Sequence, residues 1–178
     1  HDRDQATAKA IKIARTLIEK VKRNHPLDPV KIDHVDGVPI EEAEHMLATR
    51  LWQNTAKVHF DATQRADGKR LIYGGHVISM ARALSFNGLA NAQMVVGLNG
   101  GAHANPCLSG DTVRAWSEVL DKAETSAPGV GALRLRLVAT KGGAPFALRG
   151  EDGKYLPDVL LDLDYWVLVP MSWQGGFC

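Results

Sequence analysis

Residues 74–89 read GGHVISMARALSFNGL. Val77, Ile78, Ala81, Leu84 and Leu89 recur at helical spacing, and Arg82 is the one charged side chain between His76 and Leu89. A helix with so little polar surface is a buried helix. Beyond Asn91 the period changes to two. Val113, Ala115, Ser117 and Val119 alternate with Arg114, Trp116 and Glu118, and Leu133, Leu135 and Leu137 alternate with Arg134 and Arg136. Val159, Leu161, Leu163, Tyr165, Val167 and Val169 alternate with residues that include Asp162 and Asp164. The turns fall at Pro128-Gly129, Gly142-Gly143 and Asp152-Gly153. Long strands with no helix between them predict an antiparallel sheet with one face solvated, and Trp116 falls in the outward set. The class is α+β: a curved antiparallel sheet wrapped around one buried central helix.

Upstream, Pro39-Ile40-Glu41-Glu42 opens a helix that runs through Ala43, Met46, Leu47 and Leu51, with acids at the positive end of its dipole. Gln53–Arg70 has no helical period and reads as loop. Residues 1–26 carry Ala10, Ile13, Ala14, Leu17, Ile18 and Val21 at helical spacing among Lys9, Lys12, Arg15, Lys20, Lys22 and Arg23, and Pro26 and Pro29 end that segment. The expected organisation is a basic amphipathic helix and linker over 1–30, one domain over 31–171 and a tail over 172–178. The Ala-rich face of the first helix lacks an aromatic anchor, so it suits a neighbouring domain or subunit better than a membrane.

The chain has 178 residues, 21 basic and 20 acidic side chains and a formal charge of +1. That balance argues against nucleic acid as a partner. The two cysteines, Cys107 and Cys178, leave no disulfide framework and no thiolate metal site, which suits a reducing, cytoplasmic compartment. No apolar run is long enough to predict a membrane span. The first residues lack a signal peptide's apolar core and an initiator Met, so a processed chain or a part of a longer one is expected.

Glycine-rich nucleotide motifs, HExxH and GxSxG are all missing, and the seven histidines form no pair at a metal-ligand spacing, so no metal is expected. Two features remain. His59 lies in the irregular stretch before the buried helix and carries a side chain suited to proton transfer near neutral pH. Gly74-Gly75 leaves the backbone bare at a helix N-terminus, where free N–H groups hold an anionic oxygen. A base beside an oxyanion site is what enolate chemistry on a thioester requires. A loop histidine with a structural hydrogen bond, and a Gly-Gly pair that only permits tight packing, explain the same residues.

The order His59, Tyr73-Gly74-Gly75, then Pro106-Cys107-Leu108-Ser109-Gly110-Asp111-Thr112-Val113 resembles the MaoC-like hydratases of the hot-dog fold. Long runs carry the likeness: IDHVDGVPIEEAEHMLATRLWQNTAKVHF over 32–60, RLIYGGHVISMARALSFNGLANA over 70–92, RAWSEVLDKAE over 114–124 and VLLDLDYWVLVP over 159–170. It spans roughly residues 32–171 and is similar to the C-terminal half of tandem hot-dog members of the family. The resemblance implies a hot-dog fold and a hydro-lyase that reversibly hydrates a short, branched dicarboxylic enoyl-CoA (mesaconyl-CoA to β-methylmalyl-CoA). His59 would then be the acid and base, and Gly75 N–H, with Gly74 or His76, would hold the thioester oxygen. The family motif places an Asp five residues before the His, and here that position is Asn54. The amide is expected to hold the water, and its neutrality avoids repulsion with a substrate carboxylate.

The resemblance also puts Tyr73, Gly74, His76, Arg82 and His103 at the substrate, His103 where related folds lay pantetheine beside a strand. Arg82, Lys57 and Arg70 are the cations available for the substrate carboxylate or the CoA phosphates. No cofactor is expected beyond the CoA of the substrate itself. The partner is a second copy or a second hot-dog half. Two alternatives stand beside this reading: a hot-dog half that binds acyl-CoA without turnover, and a thioesterase, for which Asp61 is the nearby carboxylate.

Overall fold

The computed structural model describes residues 30–92 and 94–171. The expected N-terminal helix over 1–26 and the tail over 172–178 lie outside them. Five strands form one antiparallel sheet: β1 (Val30–Pro39), β2 (Met94–His103), β3 (Thr112–Glu124), β4 (Val130–Thr140) and β5 (Val159–Pro170). Their spatial order is β1-β3-β4-β5-β2. Between β1 and β2 lie α1 (Glu42–Leu51), two 3₁₀ turns (Lys57–His59 and Ala62–Gln64), α2 (Gly74–Leu84) and a short turn, α3 (Phe86–Leu89).

The expected strands β3, β4 and β5 form the middle of the sheet, where alternation is strongest because one face is packed. Val113, Ala115, Leu135, Leu137, Leu161, Leu163, Tyr165 and Val167 are buried in one core with Val77, Ala81 and Leu84 of α2. Each large side chain buried this way contributes about 1.5–3 kcal/mol. The helix packs against β1, β3, β4 and β5, so it is the central helix that the sequence predicts.

The fold departs from expectation in four places. Strands β1 and β2 were not foreseen; they are the two edges of the sheet and are mostly exposed, so burial writes no alternation into their sequences. Val30, assigned to the linker, opens β1. The central helix stops at Leu84, not Leu89. Gly88 takes φ +95°, a conformation unfavourable for other residues, and a Cβ there would lie 2.7 Å from Ile32 Cγ2. Ser79 and Ala83 are exposed, so the helix is buried on one side rather than all round.

The third departure concerns the sheet's outer face. Trp116 is buried against Val138 and Val159, with Leu148, Tyr155 and Leu156 of the long β4–β5 connection packed on them. The face is therefore partly covered rather than fully solvated. Its charges are paired: Arg134 donates to Asp164 at 2.9 and 2.5 Å, and Arg136 reaches Asp162 at 3.1 Å and Glu118 at 3.2 Å. The fourth departure is α1, which exposes Leu47 and Leu51 and buries His45, Ala48 and Thr49.

Candidate active site

The segment expected to be irregular is held by its own side chains. Asn54 Oδ1 accepts the Ala56 N–H at 3.1 Å, and the chain then turns through Lys57–His59. Leu71 N–H donates to Val58 O at 3.0 Å, and His59 Nδ1 donates to Leu71 O at 2.8 Å. A carbonyl only accepts, so the proton sits on Nδ1 and Nε2 keeps its lone pair. This tautomer is poised to act as a base.

His59 lines a cavity of about 450 Å³ with Gly74, Val77, His103, Cys107 and Leu160 among its walls. The other wall residues are Leu71, Ile72, Ala104, Asn105 and Pro106, so no carboxylate among the described residues lines it. Its titratable groups are two imidazoles and a thiol. Burial, with Asp111 nearby, pushes the Cys107 thiol up to about 12, which keeps it protonated and unreactive. Burial lowers the pKa of His103, so that ring is neutral at pH 7.

The cavity meets α2 at its N-terminus. Helical geometry gives the N–H groups of Gly74 and Gly75 no intrahelical acceptor. His76 N–H and Val77 N–H both turn back to Tyr73 O, at 2.9 and 3.4 Å. The two glycine N–H groups are therefore the available oxyanion donors, and His76 is not one. A side chain at either glycine would force a neighbouring ring to shift. A Cβ on Gly74 would approach His103 Nε2 to 2.5 Å, and one on Gly75 would enter the Tyr73 phenol ring. Tyr73 thus folds over the first turn of α2, edge-on to His59 at 6.2 Å and 5.9 Å from Trp52.

Of the residues singled out in the sequence, the fold brings together His59, Gly74, Gly75, Tyr73 and His103. Three lie elsewhere. The Asn54 side chain bonds its own loop and is absent from the cavity wall. His76 points to α1, where Nε2 lies 3.3 Å from Glu44 Oε1. Arg82 sits near the other end of α2, donating to Ser85 Oγ at 2.8 Å and Ala92 O at 2.9 Å with its guanidinium over Tyr165. Of the remaining charges, Arg70 donates to Phe60 O at 2.8 Å and pairs with Glu42, and Lys57 is exposed. Asp61 caps the second 3₁₀ turn, accepting from Thr63 N–H, Thr63 Oγ1 and Gln64 Nε2, and these bonds hold its carboxyl below the usual range.

The sequence reading missed His45. It is fully buried on α1, its ring centroid 6.5 Å from His59 and 6.2 Å from His76. The available signal was spacing: His45, Ala48 and Thr49 lie at i, i+3 and i+4, one face of a helix whose residues are too polar or small to score as core.

No family model matches the chain. It is 83% identical over 141 residues to mesaconyl-CoA hydratase of Cereibacter sphaeroides, a match covering 79% of this chain and 41% of that protein. It is 56% identical over 148 residues to β-methylmalyl-CoA dehydratase of Chloroflexus aurantiacus, covering 79% and 42%. A solved structure described as a MaoC domain dehydratase from Chloroflexus aurantiacus matches with TM-score 0.78 and 52% identity, over 83% of this chain and 44% of that one. A Mycobacterium tuberculosis protein with a double hot-dog fold shares the fold at TM-score 0.63 and 16% identity, over 86% of this chain and 45% of that one. The chain spans about two fifths of the length of the curated relatives it matches. It therefore has a hot-dog fold and is similar, over 79% of its length, to part of mesaconyl-CoA hydratase and of β-methylmalyl-CoA dehydratase.

Proposed function

We propose that this chain reversibly adds water across the double bond of mesaconyl-CoA to give β-methylmalyl-CoA, with His59 carrying the proton. The observation that supports this most is the tautomer of His59. Its Nδ1 is spent on Leu71 O, and its lone-pair Nε2 belongs to a ring that lines the cavity. The identity to mesaconyl-CoA hydratase supplies the substrate.

In hydration, His59 Nε2 takes a proton from water as the water oxygen bonds to the β-carbon. The π electrons move onto the thioester, and the N–H groups of Gly74 and Gly75 stabilise the oxygen as it becomes enolate-like. The α-carbon then takes the proton from the His59 imidazolium, so one water is added and the imidazole is restored. Dehydration reverses each step. The base contributes about 10²–10⁴-fold and one oxyanion donor about 10²–10³-fold. His103 walls the acyl group beside Gly74, and Tyr73 packs behind Gly75 with its ring edge-on to His59. Asn54 keeps the His59 loop in shape by accepting the Ala56 N–H.

The pairing surface is the β2 edge. Met94, Val95 and Leu98 are 59%, 44% and 68% exposed along a strand whose outer side has no partner in the sheet. A bare apolar edge of this kind is a template for another strand. A second copy of the chain or a second hot-dog unit would extend the sheet there and cover His103, which ends β2. A CoA-thioester substrate and a buried free thiol suit a cytoplasmic enzyme.

The test follows the enoyl-thioester absorbance with mesaconyl-CoA and crotonyl-CoA in parallel. Loss of absorbance with mesaconyl-CoA, and much less with crotonyl-CoA, is expected. Free thiol release without hydration would identify a thioesterase, which is disfavoured because Asp61 is absent from the cavity wall and its carboxylate is engaged by Thr63 and Gln64. Binding without turnover by a folded sample would identify an acyl-CoA-binding half.

A further inference from the structure

We propose that His45 is a positioning residue for the hydration reaction: its neutral imidazole holds the Tyr73 backbone, and through it the first turn of α2, in register with His59. The role in catalysis rests on the hydratase reading above.

His45 has no exposed surface. Tyr73 N–H donates to its Nε2 at 3.2 Å, so Nε2 is unprotonated and the ring proton sits on Nδ1; Thr49 Oγ1 lies 3.4 Å from the same nitrogen but donates its proton to His45 O at 2.9 Å. That Nδ1 is itself buried and has no partner among the described residues. A buried unsatisfied donor costs stability, and an apolar side chain would avoid the cost. The imidazole accepts a hydrogen bond that Leu or Met could not, from the N–H of the residue that caps α2. Tyr73 is that cap, and the next two residues carry the proposed oxyanion donors. A small displacement of its backbone moves both donors relative to the cavity and to His59. A proton relay through His45 is the competing account of the imidazole cluster. It is disfavoured because Nε2 is occupied by a backbone N–H and Nδ1 touches no acceptor.

The latch is conditional on charge. A protonated His45 would turn two donors toward each other at the Tyr73 contact and release it. The groups facing the ring are His76 on α2, His59 on the 3₁₀ turn, Arg70 before α2, and Glu42 on α1 itself. Burial, then His76 and His59, lowers the pKa of His45, whereas Glu42 acts the other way. The latch is closed at neutral pH and opens in acid.

The test compares wild type with His45→Gln and His45→Leu. Glutamine Oε1 can take the place of Nε2 and accept the Tyr73 N–H without titrating; leucine fills the space and accepts nothing. In His45→Leu, kcat on mesaconyl-CoA is expected to fall about tenfold to a hundredfold while KM stays within about twofold. His45→Gln is expected to recover most of that loss. Nitrogen NMR of the wild type is expected to show His45 protonated on Nδ1, and exchange of the Tyr73 amide is expected to accelerate in His45→Leu alone. Unchanged kcat and unchanged Tyr73 exchange in a folded His45→Leu protein would overturn the proposal, as would a proton on Nε2. If the wild type hydrates nothing, the tautomer and the Tyr73 exchange still decide whether the latch exists, so the two failures are distinguishable.

Discussion

Helices α1 and α2 have ten and eleven residues and bury opposite chemistry. Helix α2 turns Val77, Ala81 and Leu84 into the core and leaves Ser79 exposed. Helix α1 turns His45, Ala48 and Thr49 inward and leaves Leu47 and Leu51 at 55% and 68% exposure. The two meet where Tyr73 N–H bonds His45 and where His76 approaches Glu44. One helix is therefore selected by packing and the other by the polar contacts it makes to the first turn of its neighbour. An inverted face of this kind signals a site or an interface rather than a core.

The comparison can be broken first by truncation. Leu84→Ala on α2 is expected to cost about 2–5 kcal/mol in chemical denaturation, the ordinary cost of a buried leucine. Leu51→Ala on α1 is expected to stay within about 0.5 kcal/mol. Equal losses would mean that α1 is a packing element after all. At the joint between the helices, Gly75→Ala forces the Tyr73 ring aside and fills the oxyanion turn. An activity loss of about 10²–10³-fold is expected, with a smaller effect on the melting temperature.

Acid offers a gentler probe. His34, His45 and His103 all have pKa values lowered from 6.5, in each case mainly by burial. The unfolded chain therefore binds protons at a higher pH than the folded one. Stability is fully present above 6.5 and is lost as pH falls from there through the folded values. The melting temperature is expected to be flat above neutrality and to fall below that point. A melting temperature that rises on acidification would contradict the neutral assignment of these rings.

The smallest effect expected is that of Asn54→Asp. The new carboxylate can still accept the Ala56 N–H, so the loop survives. Asn54 lies off the cavity wall, so an added charge reaches the substrate only through water, where even a 4 Å pair is worth about 1 kcal/mol; a fall in kcat/KM of about fivefold or less is expected. A gain in activity would defeat the repulsion argument for asparagine at this position.

How much of this was legible depended on where burial and chemistry agree. The middle strands, the central helix and the start of α1 could all be read, because Leu133–Leu137, Val159–Val169 and Val77–Leu84 are apolar at the period their element requires. The edge strands β1 and β2 could not. Residues such as Leu98, Asn99, Gly100 and Gly101 face solvent or an absent neighbour, so nothing selects alternation. His59 and the Gly-Gly turn were legible through residue type and resemblance. His45 was not, because a buried histidine on a helix looks like an exposed one until its bond to Tyr73 is seen. Arg82 and His76 misled in the opposite sense. Both are polar residues on the central helix, and both are consumed by local partners, Ser85 and Ala92 for one and Glu44 for the other.

The central claim is that His59, with Nδ1 tied to Leu71 O, carries the proton in the hydration step. The most direct measurement is kcat on mesaconyl-CoA for His59→Gln beside its thermal unfolding midpoint. A loss of about 10²–10⁴-fold with an essentially unchanged midpoint is expected. Retained hydration in the folded variant would contradict the account and move the proton transfer to another group in the cavity.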